Sequence, residues 1–275
     1  MISMTLFGCG QSKSSSEGDP HAHEKGKAFE ICGVTKAAAG AMASRNIIGG
    51  TVVEKGQADA KAAIMLMSDS GSICTAAAIS RNVLLTAAHC LAKDEGYIAF
   101  FAPSMTCASG FDISKDAIRA TRVVRHSGYD LEQPDVTKRR DDVGLVFLGK
   151  DIPEGYPVYK IADPQTVGER NELLLYGYGV TGDNLGGAGT LRKASVNSQR
   201  YRIDLGNKLI SVNQAGTQGL CMGDSGGPGL VQIGSELQIL GVNSFVHGQN
   251  GEFCNDLGYE TIADSYKDWI EFQMK

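Results

Sequence analysis

From Ile47 onward the apolar residues come in short runs, "NVLLTAAHC", "DDVGLVFLG", "NELLLYGYG" and "LQILGVNSF", separated by Gly, Asn, Asp and Pro. Runs of this length bounded by turn residues predict strands, and many of them in succession predict an all-β barrel or sandwich. No internal repeat is visible. One segment breaks the pattern. In "IADSYKDWIEFQMK" the residues Ile262, Tyr266, Trp269, Ile270 and Phe272 oppose a polar face, which predicts an amphipathic helix over about 262–275 that packs on one barrel. The first 46 residues read differently: a short apolar stretch ends at Cys9, and the chain then turns to Ser, Gly, Lys and Glu without hydrophobic periodicity. They read as a tail, with the folded part starting at Ile47.

A chain of 275 residues with 42% hydrophobic and 21% charged residues has enough core for one large domain or two small ones, and is not disordered throughout. The net charge of -5 gives no reason to expect a nucleic-acid partner; the one basic cluster, Lys138-Arg139-Arg140, reads as a solvated loop. No apolar run reaches the ~18 residues of a membrane span. The opening "MISMTLFGCG" resembles the end of a bacterial lipoprotein signal, in which the cysteine after a short apolar run is lipidated. That resemblance implies a bacterial cell-envelope location, secreted, periplasmic or outer-membrane-anchored, with a membrane contact through a lipid on Cys9. A cleaved secretory signal of another kind and a plain disordered start stay open beside it. His21 and His23 read as linker residues. No metal and no cofactor are expected.

The candidate chemistry comes from three places far apart. "LLTAAHC" puts His89 at the end of an apolar strand, "RRDDVGLVFL" puts Asp142 before another, and "GDSGGP" puts Ser225 in a glycine-rich loop. Each alone has a bland reading, as a core histidine, a turn aspartate and a phosphate-cradling turn. Together they fit one reaction. A serine hydroxyl is a poor nucleophile until a histidine takes its proton, and the histidine needs a carboxylate to fix its tautomer and stabilise the imidazolium.

In the order and spacing of "IIGG", "TAAHC", "DDVGLVFL", "GYG", "CMGDSGGP" and "GVNSF", the chain from Ile47 to its end resembles the chymotrypsin/trypsin family of serine proteases. The resemblance implies an all-β fold of two six-stranded antiparallel β-barrels, about 47–158 and 159–261, followed by the C-terminal α-helix. It implies a serine endopeptidase that cuts protein or peptide substrates with His89, Asp142 and Ser225, leaving Asp141 as an exposed neighbour. The backbone N–H groups of Gly223 and Ser225 become the oxyanion hole, which requires a tight turn and hence the glycines. Asp224 is expected to be buried and to pair with the α-amine of Ile47 once an activating protease removes the first 46 residues, so the protein is made as a zymogen. A buried carboxylate lacking its partner is costly, and the oxyanion loop of the uncut chain is expected to be disordered. Asn46 stands where the family has a basic residue before the cut, so cleavage after asparagine, trimming, and another route of activation stay open.

Ser244 matches the serine that supports the triad aspartate, and Phe245 and Val246 the edge to which a substrate strand adds. The primary pocket maps onto Gly219, Leu220, Val246 and a wall residue near Leu257, which favours small aliphatic side chains, as in elastases. A rival register brings the Asp256 carboxylate into the pocket and favours basic residues. The resemblance also implies the disulfides Cys74–Cys90 and Cys221–Cys254, less directly Cys32–Cys107, and an oxidising compartment. Two other classes compete. A non-catalytic binding protein on a protease fold would lack triad members, all of which are present. An α/β-hydrolase esterase needs the order Ser, Asp, His, the reverse of the order found here.

Overall fold

The short apolar runs become strands whose successive side chains feed two different cores. This computed structural model describes residues 47–275 apart from 48, 92–94, 106–108, 131, 134, 136–137 and 182–186. In β2 (Ile64–Ser68), Ile64 and Leu66 enter one cluster and Met65 another; β3 (Ile73–Ala78) splits Ala76 and Ala78 from Ala77 in the same way. In β4 (Val83–Thr86), Leu84 goes one way and Val83 and Leu85 the other. Side chains alternate across a strand, so a run apolar at every position signals burial on both faces. One face fills the inside of a barrel. The other meets Tyr176, Tyr178, Leu230 and Val242 of the second half of the chain, which joins the two halves through a shared core.

The first unit closes as predicted. Its six antiparallel strands run in the order β2-β3-β4-β7-β6-β5, with β5 at Tyr97–Phe100, β6 at Ala117–Arg125 and β7 at Gly144–Leu148. The second unit departs from the expectation of a closed six-stranded barrel. It is an eight-stranded sheet in the order β1-β9-β8-β12-β13-β14-β11-β10, with no strand pairing between its ends among the described residues, and the whole stays consistent with the expected chymotrypsin-like all-β fold. The strands are β1 (Thr51–Val52), β8 (Leu173–Gly177), β9 (Arg192–Val196), β10 (Tyr201–Asp204), β11 (Leu209–Asn213), β12 (Pro228–Ile233), β13 (Glu236–His247) and β14 (Leu257–Ile262). Because β1 pairs with β9, Thr51 and Val52 lie in this second sheet.

The chain ends in a 3-10 turn, Ala263–Tyr266, and an α-helix over Lys267–Gln273. Ile262 lies in β14 and not in the helix. Tyr266 and Ile270 are buried, but Phe272 is 70% exposed. Two positions after Ile270 a helical side chain has turned away from the packed face. The helix strap lies on the first barrel: His126 meets the rings of Tyr266 and Trp269 edge-on, and Arg122 donates to the Gln273 carbonyl. The readings that involve Cys9, His21, His23, Cys32 and Cys107 lie outside the described residues.

Candidate active site

Strand register brings His89 and Asp142 together. Thr86 of β4 faces Gly144 of β7 at the end of their ladder, so the segment leaving β4 and the segment entering β7 share one edge. His89 follows in the short 3-10 turn His89–Leu91, and Asp142 is two residues before Gly144. The Asp142 carboxylate is tied twice to His89, through the ring Nδ1 at 2.8 Å and the backbone N–H at 2.9 Å, and it accepts the Ser244 hydroxyl at 2.5 Å. It is buried, whereas the His89 ring is partly open to solvent. Burial alone would raise the Asp142 carboxyl. The facing His89 ring, the ring's hydrogen bond, the Ser244 hydroxyl and the His89 N–H outweigh it and hold the group below the ordinary carboxylate range.

Ser225 reaches the same place from the second sheet. Its carbonyl accepts the Thr75 N–H at 2.8 Å, and Gly226 and Gly227 are bonded to the backbone of Asn243, the residue before Ser244. Gly226 has φ +81°, and a Cβ there would lie 2.0 Å from Thr86 Oγ1, so only glycine fits behind the serine. Cys90 Sγ lies 3.8 Å from His89 Nε2 and 3.6 Å from the Ser225 carbonyl, which puts serine and imidazole around one sulfur. Among the described residues no hydrogen bond joins Ser225 Oγ to His89; such contacts tighten in the Michaelis complex.

The loop around Ser225 is held by its carbonyls. Thr75 Oγ1 donates to the Gly223 carbonyl at 3.0 Å and accepts the Tyr178 N–H. Neither the Gly223 nor the Ser225 N–H donates to any acceptor among the described residues. Gly223 has φ +92°, and a Cβ on it would meet the Gly179 α-carbon at 2.7 Å.

A family model described as trypsin matches residues 47–270. The chain belongs to the trypsin family. Its relatives include "Serine protease SP24D" of Anopheles gambiae, 27% identical over 237 residues, covering 83% of this chain and 81% of that protein. "Neutrophil elastase" of Mus musculus is 27% identical over 215 residues, 74% of each chain. "Clotting factor G beta subunit" of Tachypleus tridentatus is 26% identical over 226 residues, 72% of this chain and 70% of that one. Fold and family together make the protein a serine endopeptidase. These relatives are animal proteins, and they lend no support to a bacterial origin.

Two disulfides expected of a trypsin-family member are formed, Cys74–Cys90 and Cys221–Cys254, with Cα separations of 6.1 and 5.3 Å. They fit an oxidising compartment. Cys74, His89 and Cys90 lie close enough together to suggest a metal site, but both sulfurs are spent in the disulfide and offer no thiolate.

Asp141 is not the exposed neighbour that was expected. It adopts φ +60° and accepts the Tyr266 hydroxyl at 2.8 Å, which fastens the C-terminal strap beside the site.

The pocket region corrects the sequence reading at Leu257. In β14 Gly258 and Glu260 are buried, while Leu257 and Tyr259, partly exposed, share the opposite face with Arg202 and Leu209. A slip of one residue swaps the faces of a strand, so the inward position belongs to Gly258, one place later. Gly258 lies against Leu220 and opposite Val246 of β13. The rival Asp256 is turned to the surface, where Gln249 and His247 engage its carboxylate and hold it below its usual range. Sequence reasoning missed Gln214. Its buried amide accepts the Leu220 N–H and donates to the Leu220 and Cys254 carbonyls, and it fills the space beside Gly219, where a Cβ would lie 2.2 Å from its oxygen.

Proposed function

We propose that the protein hydrolyses peptide bonds through an acyl-enzyme formed on Ser225. Ser225 Oγ attacks the scissile carbonyl while its proton passes to His89 Nε2, Asp142 and Ser244 hold the imidazole, and the N–H groups of Gly223 and Ser225 take the charge that develops on the carbonyl oxygen. His89 then gives the proton to the leaving amine, and water releases the acyl group by the same steps reversed. The observation that carries this reading is the pair of undonated N–H groups, those of Gly223 and Ser225, beside a histidine already bonded to a buried carboxylate. The full-length protein is a zymogen, secreted into an oxidising compartment, and an activating protease cutting before Ile47 frees an amine for Asp224. The lipid reading of Cys9 rests on the opening residues alone and carries no part of this proposal.

The pocket favours Ala or Val before the scissile bond. Gly219 brings no charge, the Gln214 amide is spent on its neighbours, and Val246 and Leu220 leave a narrow apolar space. Such pockets discriminate by only about 1–3 kcal/mol per methylene, so the preference is graded. Hydrolysis of Ala, Val, Phe and Arg p-nitroanilides tests it. Ala and Val substrates are expected to lead, and a dominant Arg rate overturns the pocket assignment. A folded protein that binds peptides and cleaves none of the four would mark the non-catalytic alternative.

A further inference from the structure

The basic cluster Lys138-Arg139-Arg140 is not the solvated loop that was expected. Lys138 is exposed and paired with Asp135 at 3.1 Å, but Arg139 and Arg140 are partly buried. Arg139 Nε donates to the Gln133 carbonyl and Arg140 to the Arg139 carbonyl, so both side chains are tethered on the segment that delivers Asp142. Arg140 lines a cavity of about 280 Å³.

The far wall of that cavity follows from strand register. Phe245 of β13 faces Tyr259 of β14, Tyr259 faces Ser211 of β11, and Ser211 faces Arg202 of β10. Directly opposed residues of antiparallel strands share a face, so these four form one row across the sheet. The row begins next to Ser244, whose hydroxyl is bonded to Asp142, and it ends at Arg202. Phe245 stacks on Tyr259 with ring centroids 4.5 Å apart, and Tyr259, Ser211 and Arg202 line the cavity together with Arg140. An aromatic floor thus leads from the triad to a pocket that holds one arginine from each half of the chain. Among the described residues the Arg202 guanidinium has no hydrogen bond or ion pair. The acidic residue of the lining, Asp204, has both oxygens engaged by Asn207. The charge the pocket presents is therefore positive, and a guanidinium is suited to a carboxylate.

We propose that this pocket takes a carboxylate side chain of the substrate, so that the protein prefers peptides with Glu or Asp four residues before the scissile bond, and that Arg140 and Arg202 determine this preference. The substrate strand adds along Phe245 and Val246, and its side chains alternate. The residue before the scissile bond enters the pocket at Gly219. The second and fourth residues before that bond point the other way, towards the face of Phe245. The fourth lies about 10 Å farther back along an extended chain, where the Phe245–Tyr259 floor opens into the cavity. The inference names a substrate class for the Ser225 site and rests on that reading.

The test uses a full chain in which residues 42–46 are replaced by the Asp-Asp-Asp-Asp-Lys sequence that enteropeptidase cuts, so that the form starting at Ile47 is produced at will. The fastest of the Ala, Val, Phe and Arg p-nitroanilides fixes the residue before the scissile bond. Internally quenched peptides built on it carry Glu, Gln or Lys four residues before that bond. For kcat/KM, Glu is expected to lead Gln by about fivefold or more, with Lys last. The advantage of Glu shrinks as salt rises, because screening weakens exposed charges. In Arg140→Gln and in Arg202→Gln it falls below about twofold, while the Gln peptide is cut within about twofold of the parent rate, which also reports a folded variant. Arg202→Glu turns the ranking towards Lys. Equal rates on the Glu and Gln peptides in an active parent overturn the proposal and leave the Ser225 reading standing. So does an advantage of Glu that survives both glutamine substitutions, or an equal loss on all three peptides, which marks the arginines as structural. A cut parent silent on every p-nitroanilide and every peptide overturns the protease reading, and this inference with it.

Discussion

Glu260→Gln removes a carboxyl that the fold holds without any partner. Both oxygens are buried and unbonded, wedged against the α-carbons of Gly229 and Gly241, where an added Cβ would come within 2.1 and 2.5 Å of them. Burial pushes the carboxyl from 4.5 up to about 8. Between those values the unfolded chain has released a proton that the folded chain still binds, so stability falls as pH rises across this window. At ~1.4 kcal/mol per pH unit, the loss at pH 7 is about 3 kcal/mol relative to pH 4.5. Glutamine has no proton to lose. Its own unmade hydrogen bonds cost about 1–3 kcal/mol, but equally at every pH. Urea unfolding is compared for the parent and the Glu260→Gln variant, both in a Ser225→Ala background to prevent self-digestion. Their stability difference is expected to move by about 3 kcal/mol in favour of glutamine between pH 4.5 and pH 7. A difference independent of pH refutes the reasoning, because it would mean that Glu260 is ionised and satisfied in the native fold.

Three further substitutions probe the site. Gly223→Ala forces a side chain into φ +92° and against the Gly179 backbone, and kcat is expected to drop by about 100-fold together with a loss of stability of about 1–3 kcal/mol in urea unfolding. Gly219→Asp is expected to give a destabilised protein with no gain in Arg p-nitroanilide hydrolysis, because the Gln214 amide already fills the space in front of it; efficient Arg cleavage would show that Gln214 moves aside. Thr75→Val removes the hydroxyl that bonds the Gly223 carbonyl and the Tyr178 N–H. It should lower stability by about 1–2 kcal/mol in urea unfolding and lower kcat more than it raises KM.

The residues whose role depends on short contiguous strings were legible in the sequence. "TAAHC" and "GDSGGP" carry their own strand ends, turn glycines and functional side chains, and the structure puts them where the register of β4, β7 and β13 requires. What depended on distant parts of the chain was not. In "LGYETI" the large apolar Leu257 and Tyr259 look like the inward face, yet both are only partly buried while Gly258 and Glu260 between them are fully buried. The inversion arises because β14 lies between β11 and β13 with Gly241 and Gly229 making room for a glutamate. Gln214 carries no local signal, since it is buried only once residues 214–220 fold back on its amide. The openness of the second sheet likewise follows from pairings between strands far apart, β1 with β9 above all.

The most direct test of the account is to treat the protein with a fluorophosphonate and locate the adduct by peptide mass spectrometry. The account predicts one adduct, on Ser225, formed at a rate that falls by at least about 1,000-fold in His89→Ala, since nucleophile and base act as a unit. An adduct on another residue, or labelling of Ser225 that is indifferent to the loss of His89, would contradict it.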